Sequence, residues 1–103
     1  MRIKNVKGSS KVSGKAPYPY TSWLNYWEEK TNFTLDPNTL YKCPACGKSF
    51  YRKDFDGCHV QKADSFFDWY WYIVPLCSSC NQSDSILEIG NVKLVSTPSS
   101  TGA

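Results

Sequence analysis

The sequence predicts a small α+β domain stabilised by zinc, and three observations lead there. The chain has 103 residues, which is one domain at most, and the part able to fold runs from 17 to 95. A core of that size is marginal from apolar burial alone and needs a staple. Four of the five cysteines stand in two Cys-x-x-Cys pairs, Cys43/Cys46 and Cys77/Cys80, which can supply one. Around them the apolar pattern changes period, from helical spacing in "TSWLNYWEEKTNF" to strict alternation in "DWYWYIV".

In chain order, residues 1–16 read as a flexible basic arm, rich in Lys, Ser and Gly with only scattered apolar side chains. "TSWLNYWEEKTNF" reads as a helix with Thr21 or Ser22 as N-cap, because Trp23 and Trp27 lie one turn apart with Leu24 beside them. Asp36-Pro37-Asn38 marks a turn. "KCPACGKSFYRKD" is expected to be a metal knuckle running into a strand, with Gly47 taking a positive φ. "GCHVQ" is a short strand. "DWYWYIV" is a longer one, with Trp69, Trp71 and Ile73 on one face and Tyr70, Tyr72 and Val74 on the other. "SSCNQSDSILEIG" is read as a helix that starts near Cys77 to Cys80, with Ser78 or Ser79 as cap, and stops at Gly90. "NVKLV" adds a last strand, and 96–103 reads as a disordered tail.

The cysteine count is odd, with Cys58 unpaired, and "MRIKNVKGSSKVSGKA" lacks the apolar stretch of a secretory signal. No segment is apolar over the length of a membrane span. The expectation is therefore a cytoplasmic protein with reduced thiols and no membrane partner, in which paired cysteines bind metal. Two Cys-x-x-Cys turns give four thiolates for a tetrahedral ion, and an all-sulfur set suits structural Zn²⁺. Cys58 and His59 are neighbours on a strand, so their side chains point to opposite faces.

Net charge is +3, unevenly placed. Arg2, Lys4, Lys7, Lys11 and Lys15 occupy the first 15 residues with no acid among them, and the remainder is slightly negative. A second cluster, Lys42, Lys48, Arg52 and Lys53, surrounds the first cysteine pair. Both groups are candidates for contact with a phosphate backbone.

"CPAC", then "GCHV", then "YIVPLCSSCN" resembles the zinc-stapled branch of the HNH, or ββα-metal, nuclease superfamily. The resemblance covers 43 to about 85. It implies a treble-clef-like ββα core, here with an added N-terminal helix. His59 would match the general base and Asn81 the last position of the motif, beside a catalytic Mg²⁺ or Mn²⁺. Cys58 stands where active relatives have Asp or His, and no Asn occurs between His59 and Cys77.

Three functions follow as expectations. One is a zinc-stabilised, HNH-like module that binds nucleic acid with a degenerate catalytic site. Another is an active endonuclease with His59 as base and Asn81, with Asp56 or Asp68, near the divalent cation. The third is a small protein-binding inhibitor or adaptor of a mobile element, because 16% of the residues are aromatic and aromatics dominate binding hot spots. Small zinc proteins of this style are common in phages and bacteria, which puts a host protein among the partners.

Overall fold

The computed structural model describes residues 1–6, 15–65, 67–68 and 70–98. The elements are β1 (Arg2–Asn5), α1 (Trp23–Thr31), β2 (Tyr41–Lys42), β3 (Ser49–Phe50), a 3-10 turn (Arg52–Asp54), β4 (Phe55–Lys62), β5 (Tyr72–Cys77), α2 (Ser78–Asn81), β6 (Leu87–Glu88) and β7 (Val95–Ser96). Five strands form one antiparallel sheet in the order β6-β1-β4-β5-β7, and β2 and β3 form a separate hairpin.

Helix α1 forms where its sequence signals lie. The Ser22 hydroxyl accepts from the Asn25 N–H at 3.0 Å and caps the N-terminus. At the other end Asn32 turns left-handed with φ 59°, and the Phe33 N–H reaches back to the Glu28 carbonyl. The helix buries Trp23, Leu24, Tyr26 and Trp27 against the sheet. Two polar tips fix its tilt: the Trp27 indole donates to the Lys93 carbonyl and the Tyr26 hydroxyl to the Ser96 carbonyl, both at 2.8 Å.

The central hairpin is β4–β5, in register from Phe55 opposite Cys77 to Val60 opposite Tyr72. Side chains alternate along it, so Gly57, His59, Ile73 and Pro75 share one face while Cys58, Val60, Val74 and Leu76 share the other. Helix α1 lies on the Gly57 face, and this contact requires glycine. A Cβ at Gly57 would stand 2.3 Å from the Leu24 backbone N, so any side chain would push helix and strand apart. Pro75 is tolerated inside β5 because β7 pairs only with Tyr72 and Ile73.

The structure corrects several expectations. The first residues of the supposed arm are a strand: Ile3 is fully buried, and β1 lies between β4 and β6. Lys7 and Lys11 fall outside the described residues. The strand read over "DWYWYIV" begins at Tyr72 and continues through Pro75 to Cys77, while Trp69 lies outside the described residues. Ahead of Tyr72, the Asp68 carboxylate accepts from the Tyr70 N–H at 3.1 Å and from the Tyr72 hydroxyl at 2.7 Å. The helix expected from the second cysteine pair to Gly90 is a single turn, Ser78–Asn81, whose N-cap is Cys77 and not a serine. Serine side chains compete for the backbone beyond it, as the Ser83 hydroxyl does by accepting from the Ser85 N–H. Leu87 then pairs with Ile3 in β6. Two residues of the expected tail are ordered: Ser96 is paired in β7 and Thr97 is buried. Residues 99–103 fall outside the description.

Candidate metal centre

The β2–β3 hairpin closes around a knuckle. The Cys43 N–H donates to the Lys48 carbonyl at 2.8 Å and the Gly47 N–H to the Cys43 carbonyl at 2.9 Å. Gly47 has φ 76°, a left-handed conformation that any other side chain would strain. The turn presents Cys43 and Cys46 to one point. The second pair arrives on the end of β5 and the single turn of α2, which carry Cys77 and Cys80.

The four sulfurs lie within 4.8 Å of one another, and Cys46 Sγ and Cys77 Sγ are 3.9 Å apart. Four sulfurs around a tetrahedral zinc at a Zn–S distance of about 2.3 Å would be separated by about 3.8 Å. The cluster is therefore placed to hold a metal ion, and its donor set suits zinc. Three of the four cysteines are buried and Cys46 is exposed.

The electrostatics divide the ligands. Burial pushes the Cys43 thiol up, but the backbone N–H groups of Cys46, Cys77 and Ala45 outweigh it, and the pKa falls to about 7. Burial raises Cys77, opposed in part by hydrogen bonds with Cys80, and it raises Cys80, where the neighbouring cysteines push in the same direction. Cys43 is thus a readier thiolate than Cys77 or Cys80, which ionise as a cation arrives. Cys58 does not belong to this cluster. It is buried in the core with its Sγ 3.3 Å from the Asp56 carbonyl, and burial raises its pKa strongly. A thiol in that setting is unreactive.

His59 and Asn81, paired by the motif resemblance, are not brought together. Asn81 reaches the Asp56 carboxylate with Nδ2 at 3.3 Å on the exposed side of α2. His59 occupies the opposite face of β4, 4% exposed, with its ring 4.6 Å from Trp23 and 6.0 Å from Trp71. Desolvation lowers its pKa to about 4, and its Nε2 is buried with no hydrogen-bond partner among the described residues. A general base needs hydrogen-bond reach to its substrate, and Trp23 covers this imidazole. Asp68, the other acid considered for a divalent cation, is committed to Tyr72 and to Lys62.

The basic candidates also divide. Lys4, Lys15, Lys42, Lys48 and Lys53 are exposed. Arg52 is not available, because its guanidinium grips the Glu28 carboxylate with two hydrogen bonds at 2.8 and 3.0 Å. Glu28, on the buried face of α1, also accepts from the Leu35 N–H at 2.7 Å. Burial would raise the Glu28 pKa, but Arg52 and Leu35 hold it below the usual value. This ion pair ties the helix to the chain after the Cys43–Cys46 hairpin. No local sequence signal marks it, because the two residues are 24 positions apart.

No helix among the described residues is long and apolar enough to cross a membrane. No protein-family model, curated protein or solved structure matches the chain, so the likeness to the HNH group rests on the quoted motif residues alone.

Proposed function

We propose that this chain is a non-catalytic zinc module that contacts nucleic acid through its metal-pinned hairpin. The observation that carries the reading is the charge of that hairpin. Lys42 and Lys48 are exposed on it, Lys53 follows on the adjoining turn, and residues 41–51 contain no acid. A metal tetrahedrally bound by the four thiolates would hold these cations on a fixed frame, which lowers the ordering cost of binding a polyanion. Three exposed lysines make the footprint small, on the order of two or three phosphates, and the negative charge of a zinc–tetrathiolate centre would weaken it further. The buried His59 supports the non-catalytic half of the proposal.

The test is binding of labelled oligonucleotide at low salt by the wild type and by the Lys42→Glu/Lys48→Glu variant. The variant is expected to lose about tenfold in affinity and to show a shallower salt dependence. Absence of wild-type binding at low salt would reject the proposal. Mn²⁺-dependent cleavage by the wild type that disappears in His59→Phe would restore the nuclease reading.

A further inference from the structure

An apolar groove of about 630 Å³ opens beside the metal hairpin, bounded by the end of α1, the hairpin itself and residues 90–93. Its volume is in the range of small-ligand sites. The walls include Trp27, Phe33, Tyr41 and Val92, the charged lining residues are Lys42 and Lys93, and no acid lines it. Phe33 is 51% exposed. Its ring meets Trp27 and Tyr41 at 6.3 Å each and at 66° and 75°, so neither neighbour is stacked flat on it.

Both flanking rings are held in place. The Tyr41 hydroxyl accepts from the Asp36 N–H at 2.8 Å, and the Trp27 indole donates to the Lys93 carbonyl at 2.8 Å. The lysines belong to the same walls: Lys42 follows Tyr41 in the chain, and the Lys93 main-chain carbonyl accepts the Trp27 hydrogen bond. The groove therefore offers an exposed aromatic ring in a lining whose charged residues are two lysines. Single-stranded nucleic acid has the complementary pattern, a flat base between two phosphates. An acidic peptide could satisfy the lysines, but it has no comparable flat group to match the ring at the centre.

We propose that this groove receives an unpaired base of single-stranded nucleic acid, stacked at Phe33, with Lys42 and Lys93 meeting the flanking phosphates. The inference rests on the nucleic-acid reading above and adds to it a preference for unpaired strands. Base pairing in a duplex would keep the base out of the groove.

Fluorescence anisotropy with labelled oligothymidylate and with a duplex of equal length tests this on the whole zinc-loaded chain. The single strand is expected to bind at least about tenfold more tightly than the duplex, the scale of one base–aromatic stack. Phe33→Ala is expected to remove that preference while leaving duplex affinity unchanged, and Phe33→Trp to keep it. Phe33 is exposed, so neither variant should disturb the core. Equal affinity for the two forms, or a preference that survives Phe33→Ala, overturns the groove assignment and leaves the phosphate-contact reading standing. No binding of either form at low salt overturns both. Binding of an acidic, apolar peptide with no oligonucleotide bound overturns both in favour of a protein partner.

Discussion

Trp23 covers His59: the two rings meet edge to face with centroids 4.6 Å apart at 82°. The contact joins the first turn of α1 to the middle of β4 and places an ionisable ring where apolar groups usually pack. The neutral imidazole is the form that fits, because charging it here costs desolvation.

That contact sets an acid limit on stability. The His59 pKa is 6.5 when unperturbed and falls to about 4 in the folded protein. As pH drops below 6.5 the unfolded chain takes up a proton that the folded chain refuses, so stability falls until the pH passes about 4. The loss is about 3 kcal/mol. His59→Phe should fold at neutral pH and lack this component. Denaturant titrations of both proteins between pH 7 and 4 check it, the difference between them excluding the acid release of metal that both share. Parallel curves would show that His59 is not buried in the neutral form.

Removing the metal should unfold the protein. Structural zinc contributes on the order of 10 kcal/mol to small domains. Mass spectrometry under native conditions should find one zinc per chain, and a chelator should abolish the near- and far-ultraviolet dichroism. Cys77→Ser should behave like the chelated protein. An unchanged spectrum in chelator would show that the four cysteines do not staple the fold.

Gly57→Ala should destabilise the fold by about 3 kcal/mol, the upper end of overpacking penalties. The added methyl meets the α1 backbone, which has no rotamer through which to yield. Gly90→Ala, where a Cβ has nothing within 4 Å, is the control and should change stability by less than about 1 kcal/mol. Equal melting temperatures for Gly57→Ala and the wild type would mean that the helix does not lie on this strand.

Deleting residues 1–6 should unfold the sheet instead of trimming a basic tail. Ile3 is fully buried between its partners Lys62 and Leu87, so Ile3→Ala alone should cost about 3 kcal/mol. Thermal melts of that variant beside Lys4→Ala, whose side chain is exposed, separate the strand's structural role from its charge. A deletion protein that melts like the wild type would return these residues to the status of an arm.

Features governed by local chemistry were legible in the sequence, and those decided by distant partners were not. Helix α1 could be read from the spacing of Trp23 and Trp27 and from Ser22. The four cysteines could be read from their spacing, and the positive φ of Gly47 from its place after a cysteine pair. Strand β1 was missed because "RIKN" has one apolar residue and pairs only with segments more than fifty positions away. The segment after Asn81 has apolar residues that suit either period, and pairing with β1 decides for strand. His59 was placed by its motif, whereas its environment depends on Trp23, which lies 36 positions earlier and packs through the helix.

Cys77 belongs to two structures at once, being the last residue of β5 opposite Phe55 and a member of the four-sulfur cluster. A slip of β5 by one residue would turn its sulfur to the other side of the sheet and leave a bound cation with three thiolates. A metal bound at this cluster would therefore proofread strand alignment, because only the native register brings all four sulfurs together. Mispaired hairpins formed early in folding would hold the ion weakly and release it, giving the chain another chance to align.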